Sequence, residues 1–351
     1  MLGLKTYIKS FQRWLSLSRF KKGNYPSHYN GLELNKIFRN TNFPSHFTVD
    51  WMLHDKCTYD CSYCPPANKS GTDGLLNLEK LDEFCNQLEK HVYSIDPTFK
   101  IHILFTGGEP TVWKDFGTLV SRLAERGWLL SVNSNASRSE RWWEEHAKNF
   151  INVIFSYHTE SVNDDEFIRK LQICEKYAKT SINVMLNTHP EYFEKAVKFG
   201  NRVLAETTWV DFTHYKIQHN FGLQTINVPL YTKEQKEIIS TLKDHYHDGK
   251  RKHPVLEDNL YVEAEDGTVA RLNAVTLLNT NKANFFDWNC HAGREGIFID
   301  AKGNIQRGAC RVGGTFGNIN DPASIAWPDG PVRCPKTWCG CVTDIMSSKE
   351  K

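Results

Sequence analysis

Between residues 47 and 217 the chain alternates strand-like and helical runs, and this alternation limits its fold more than any other feature. The strand-like runs are "FTVDWML" (47–53), "KIHILFTGGEP" (100–110, ending in glycines), "WLLSVNSN" (128–135), "INVIFSYHTE" (151–160), "SINVMLNTH" (181–189) and "WVDFTHYKI" (209–217). Between them, apolar residues recur at helical spacing in residues 76–92, 116–127, 139–150, 164–179 and 191–206. Such alternation predicts right-handed βαβ crossovers and a parallel sheet. Six units are too few to close an eight-stranded barrel. The expected fold is therefore α/β, a partial (β/α)6 TIM-like barrel or an open sheet, with its chemistry at the C-terminal ends of the strands.

Composition excludes several classes. Hydrophobic residues make up 40% of the 351 and charged residues 24%, the balance of a globular chain. A formal net charge of +2 gives no footing for general nucleic-acid binding. No apolar run reaches the ~20 residues of a membrane span. The start, "MLGLKTYIKSFQRWLSLSRF", is broken by Lys5, Lys9, Arg13 and Arg19 and does not read as a signal peptide. A cytoplasmic location is expected, and there clustered cysteines are more often metal ligands than disulfides. Of the ten cysteines, Cys85 and Cys174 stand alone in helical runs and read as small buried hydrophobes.

Three others form "CTYDCSYC": Cys57, Cys61 and Cys64, directly after the first strand. A structural zinc site is closed by four protein ligands. Three thiols leave a metal centre one position open, as in a cubane 4Fe–4S cluster with one free iron. "GGEP", Gly107–Pro110, ends the second strand. With these two motifs in this order the chain resembles the radical SAM superfamily, whose "CxxxCxxC" loop follows the first barrel strand and carries an aromatic before its last cysteine, here Tyr63.

The resemblance implies a 4Fe–4S cluster on Cys57, Cys61 and Cys64, with S-adenosylmethionine chelated to the free iron. Reductive cleavage would give a 5′-deoxyadenosyl radical that abstracts hydrogen from a substrate carbon. The cofactors carry that chemistry, and the protein orients them and excludes water. Gly107 and Gly108 are expected to let backbone approach the ligand, with Pro110 beside them, while Glu109 chiefly shapes the loop. Asn133 is the expected match to the "TNG" of relatives, although the glycine is missing. Ser156 is expected at the ribose and Arg169 at the methionine carboxylate, or else as a solvated helix charge. His158 and Glu160 are candidate catalytic residues. An electron donor such as flavodoxin or ferredoxin is implied.

A second cysteine group gathers near the C-terminus: Cys290, Cys310, Cys334, Cys339 and Cys341. "CHAGREGIFIDAKGNIQRGAC", with Gly303 at a hairpin turn, resembles the twitch and SPASM extensions of radical SAM enzymes. The shorter, single-cluster twitch form is favoured. Cys290, Cys310, Cys339 and Cys341 are the expected ligands of an auxiliary 4Fe–4S cluster, Cys334 competes with them, and a structural zinc site is the alternative.

The expected organisation is a basic N-terminal extension (1–45), a radical SAM partial barrel (46–230), a bridging helix and hairpin (231–285) and a small cysteine-rich extension of β-hairpin and helix (286–351). Residues 1–22 hold six Lys or Arg and no acid, with Leu4, Ile8, Phe11 and Leu15 on one helical stripe. That stripe suits packing on the protein or weak membrane-surface contact. The expected activity is dehydrogenation-type chemistry on a small molecule such as a sugar or polyol. The alternatives are maturation of a ribosomal peptide by cross-linking or epimerisation, and a non-catalytic Fe–S or zinc protein.

Overall fold

The computed structural model describes residues 33–39, 46–62, 64, 69, 71, 76–177, 181–187, 190–207, 210–216, 232–242, 259–279 and 281–351. The chain divides into two units. One comprises Met1–Asp50, Leu76–His102 and Leu256–Lys351, and the other Trp51–Leu75 and Ile103–Val255.

In the first unit, β1 (Leu34–Arg39), which falls within the extension expected over residues 1–45, belongs to an antiparallel sheet. Its partners are β8 (Asn259–Ala264) and β15 (Lys349–Glu350). β8 continues to β9 (Val269–Asn273), which α7 (Ala274–Asn279) follows, and β15 continues to β10 (Asn289–Cys290) and then β14 (Val332–Arg333). β1 escaped notice because "LNKIFR" buries little besides Leu34 and Ile37, a signal too short for periodicity to register. The β8–β9 hairpin turns at "EDGT", where Gly267 takes φ +81°. The same unit holds α1 (Leu81–Ile95) and the hairpin of β11 (Gly296–Ile299) with β12 (Asn304–Gln306), followed by β13 (Thr315–Asn318). Gly303, at φ +78°, makes that turn, and Asp300 Oδ1 accepts from the amides of Lys302 and Asn304. α1 begins at Leu81 rather than Leu76, because Asn77 and its neighbours form a turn: Asn77 Oδ1 accepts from Glu79 N, and Lys80 N donates to the Asn77 carbonyl.

The second unit receives the ends of β2 (His46–Met52) and β3 (Lys100–Thr106), and continues with β4 (Leu129–Ser134), β5 (Asn152–His158), β6 (Ser181–Asn187) and β7 (Val210–Lys216) in that order. The pairs from β4 to β7 are parallel. The crossovers carry α2 (Phe116–Glu125), α3 (Glu140–His146), α4 (Asp164–Glu175) and α5 (Phe193–Glu206); α6 (Lys233–Leu242) follows β7. This is the partial (β/α)6 barrel, with the row of strands ending at β7. Behind the sheet an aromatic chain fills the space under the helices. Phe105 meets Phe116 edge-on at 5.1 Å, Trp143 meets Phe155 at 4.7 Å, and Tyr157 stacks on Phe199 at 3.8 Å. Each such ring buried contributes about 1.5–3 kcal/mol. α4 starts where the sequence provides a cap: Asn163 Oδ1 accepts from Glu166 N, and three acids follow in the first turn.

No helix among the described residues is long and apolar enough to cross a membrane. The basic stripe of residues 1–22 lies outside the described residues.

Candidate functional site

The burial pattern of β5 alternates, with Val153, Phe155 and Tyr157 packed under the helices and Ile154, Ser156 and His158 on the opposite face. Asn133 pairs with Ile154 in register, so Asn133, Ser156 and His158 share that face. At the C-terminal ends of these strands the cysteine loop and the "GGEP" turn are laced together by backbone. Leu53 N donates to Thr106 O (3.0 Å), Gly108 N to His54 O (2.9 Å) and Glu109 N to Lys56 O (2.8 Å). Gly107 takes φ +137°, and a Cβ there would lie 2.3 Å from the His54 carbonyl oxygen. The demand for glycine at 107 is thus already made by loop-on-loop packing, before any ligand is considered.

Glu109 is fully buried and accepts four hydrogen bonds: from Thr111 N (3.1 Å), Thr111 Oγ1 (2.6 Å), Ser134 Oγ (2.8 Å) and Asn135 N (2.5 Å). Burial raises its carboxyl pKa while these bonds oppose the rise. These bonds tie the "GGEP" turn to the end of β4. The residue that reaches the cysteines from β4 is Asn135. Its Nδ2 donates to Thr58 Oγ1 (3.1 Å) and to the Cys57 thiol (3.5 Å). Ala136 follows at φ +59°, the conformation glycine favours. Ser134–Ala136 therefore meets the cysteine loop, while Asn133, the expected counterpart of "TNG", lies on the face it shares with Ser156.

The cysteine loop is also held by the segment that follows β5. Glu160 accepts from both Ser62 N (2.7 Å) and Ser62 Oγ (2.5 Å), and Ser161 Oγ lies 3.9 Å from Cys61 Sγ. Cys64 N donates to Cys61 O, and Lys69 Nζ donates to the same carbonyl while pairing with Asp60. Both carboxylate oxygens of Glu160 are thus engaged in anchoring the loop. His158 meets the Tyr59 ring edge-on at 6.0 Å, and burial pushes its pKa down to about 4 and the Tyr59 phenol up to about 12. Arg169 faces solvent, and its Nε donates to Glu140 Oε1 (2.6 Å), the solvated helix charge rather than a carboxylate clamp. Its neighbour Lys170 is buried and donates to the Ala136 carbonyl (2.8 Å). Pro110 is buried at the start of a short 3-10 turn. Tyr63 lies outside the described residues.

In the other unit, Cys290 lies in β10, and Cys334, just past β14, donates its amide to Trp288 O (2.9 Å). Cys310 follows β12, Cys339 donates its amide to Ala283 O, and Cys341 precedes α8 (Val342–Met346). Asp344 reaches back from α8, with its oxygens accepting from Ala309 N (3.1 Å) and Cys310 N (2.9 Å). A Cβ at Gly308 would lie 2.4 Å from that carboxylate. Cys290 feels the charge of Cys334, and Cys310 and Cys339 feel that of Cys290. The largest charge effects on Cys341 come instead from Asp344 and Asp50. The β10–β14 register sets Cys290 opposite Val332, two residues before Cys334.

All of these cysteines are free thiols. Burial raises the pKa of Cys57, Cys64 and Cys290, and pushes those of Cys310 and Cys339 up to about 12. Among the described residues no three His, Cys, Asp or Glu side chains already stand at metal-binding distances. The donors nevertheless suit iron–sulfur clusters. They are thiols held on fixed backbone, and their ionisation in place needs the compensating charge of a metal. The buried Asn133 Oδ1 has no hydrogen-bond partner among the described residues, so the face it shares with Ser156 offers an acceptor to a polar ligand.

Residues 51–204 match the family model described as Radical SAM superfamily. This part of the chain is a radical SAM domain, and the class it defines is that of radical SAM enzymes. Among solved structures, SuiB of Streptococcus suis bound to S-adenosylmethionine is similar, with 15% identity and a TM-score of 0.51, over 82% of this chain and 66% of that one. SuiB bound to its precursor peptide SuiA is similar at 14% identity and a TM-score of 0.50, over 92% of this chain and 77% of that one. Native anSMEcpe with bound AdoMet is similar at 15% identity and a TM-score of 0.46, over 78% of each chain. Among curated proteins none matches.

Proposed function

We propose that Cys57, Cys61 and Cys64 hold a 4Fe–4S cluster with one iron open to S-adenosylmethionine, and that the enzyme abstracts hydrogen from a substrate carbon. The observation that carries this reading is the lacing of the three-thiol loop to the "GGEP" turn through His54, Lys56, Glu109 and Asn135. When bound, the cluster and S-adenosylmethionine supply a hydrogen-abstracting radical. The chain's own residues do the rest. Glu109 and Glu160 fix the two loops, Asn133 and Ser156 face the nucleoside, and His158, neutral at pH 7, presents an uncharged ring to the substrate.

A second cluster on Cys290, Cys310, Cys334 and Cys339 would close all four irons and leave exchange of electrons as its chemistry, which fits net oxidation of a sugar or polyol carbon. A second reading, a peptide substrate, takes its support from the SuiB structure with precursor peptide SuiA, a likeness that runs over 92% of this chain.

Anaerobic reconstitution tests the proposal. About eight irons per chain are expected, falling to about four when Cys57, Cys61 and Cys64 become Ala. With dithionite, S-adenosylmethionine should yield 5′-deoxyadenosine. Formation of S-adenosylhomocysteine alone would refute the radical reading. Mass spectrometry of candidate polyols and peptides after turnover, scored for loss of two hydrogens, separates the substrate classes.

A further inference from the structure

Lys349 is a buried cation whose surroundings are not those of an ordinary helix cap. The residue is 2% exposed. Its Nζ donates to three carbonyls, those of Asp344 (2.5 Å), Ser347 (2.8 Å) and Ile345 (3.1 Å). The three acceptors match the three N–H groups a lysine ammonium carries. Burying an ammonium is expensive unless a counter-charge compensates it. Asp344 stands beside it as a partial counter-charge, its oxygens already accepting from the amides of Ala309 and Cys310. The β10–β15 register sets Lys349 directly opposite Cys290, and opposed residues in an antiparallel pair point to the same face with Cβ atoms about 4.5–5.5 Å apart. Arg307 and Asp344 also act on these thiols, and apolar groups complete the surroundings. The Phe285 ring lies 5.2 Å from Nζ, and Cys339 belongs to the same core cluster as Phe285 and Ile345.

We propose that Lys349 is the fixed counter-charge of an iron–sulfur cluster held by Cys290, Cys310, Cys334 and Cys339, and that it raises the reduction potential of that cluster. The proposal rests on the reading of these thiols as cluster ligands. One electron enters from an external reductant, no bond breaks and no proton moves. With four thiolates the net charge goes from minus two to minus three. A nearby positive charge stabilises the more negative state more, and the low dielectric of these apolar groups enlarges that difference. Capping the last turn of α8 would not by itself call for a buried ammonium, since an exposed residue or water serves a helix end as well.

The test is a redox titration followed by electron paramagnetic resonance, together with iron analysis. It uses the full chain carrying Ala at positions 57, 61 and 64, so that only C-terminal iron titrates. Lys349→Met and Lys349→Gln should keep about four irons but reduce less readily. A tenfold smaller reduction constant is a shift of about 59 mV to more negative potential for a one-electron couple. Lys349→Arg, which retains the charge, should stay near the parent value. An unchanged potential in the neutral variants would overturn the proposal. So would loss of the iron from all three variants alike, the mark of a purely structural cap. A parent protein that binds zinc or no iron at these thiols would instead refute the cluster reading itself, and the two failures are told apart by metal content.

Discussion

The two cysteine groups are built on opposite principles. Cys57, Cys61 and Cys64 sit on one loop outside regular structure, and side chains just past β4 and β5 reach in to hold it: Asn135 at Cys57, and Glu160 and Ser161 at Ser62 and Cys61. Cys290, Cys310, Cys334, Cys339 and Cys341 come from separate elements, and strand register together with the Asp344 carboxylate brings their segments together. A loop that carries its own ligands can be read from spacing, whereas an assembly of distant pieces can be read only from the fold.

Four experiments would break or sharpen that comparison. The largest effect is expected from Asp344→Ala, which strips the half-buried amides of Ala309 and Cys310 of their acceptor and removes the carboxylate beside Lys349. A loss of about 3–5 kcal/mol is expected, seen as protease sensitivity within residues 286–351 while the iron of the three-thiol loop stays bound. Simultaneous loss of both iron pools would end the picture of separately built sites. Gly107→Ala comes next, at about 2–4 kcal/mol, because the added Cβ meets the His54 carbonyl in a φ that alanine avoids. Chemical denaturation and iron content should fall together, and here only the first pool should suffer.

The third concerns pH. The folded-state pKa values of His158 and of His91 in the other unit are pushed down to about 4, chiefly by burial, from an ordinary value near 6.5. Between these values the unfolded chain binds the proton and the folded chain does not. Their contribution is therefore whole above pH 6.5 and is lost as pH falls toward 4. Urea titrations at pH 7.5, 6 and 5 should show stability falling, and His158→Phe should flatten part of the slope. A slope unmoved by that change would mean His158 is not buried as described. The smallest effect is Ala136→Gly, a gain of about 0.5–1 kcal/mol from relief of φ +59°. A loss of stability would show that the Lys170 bond to this carbonyl already offsets the strain.

Much of the molecule was legible beforehand, for reasons that particular residues make plain. The six strands and five helices of the barrel follow from period alone, because buried parallel strands and amphipathic helices leave unlike patterns. "CTYDCSYC" and "GGEP" were visible because each function is packed into consecutive residues. What stayed hidden depended on partners far along the chain. Nothing near "LNKIFR" announces that it pairs with Asn259–Ala264. The pairing of Asp344 with Cys310 and of Lys349 with Cys290 spans stretches that no local pattern connects. Arg169 was read from its neighbourhood in sequence, and one helical step decides whether that residue or Lys170 turns inward.

The carbonyl of His54 has a thermodynamic consequence. It accepts the Gly108 amide and leaves no room for a side chain at Gly107, so the loop bearing the thiols and the turn bearing "GGEP" order as one cooperative unit. A ligand that binds either loop only in its ordered form stabilises the other by the same free energy, and the relation runs in both directions. Metal at the thiols would then tighten whatever the turn binds, and that ligand would slow the escape of the metal.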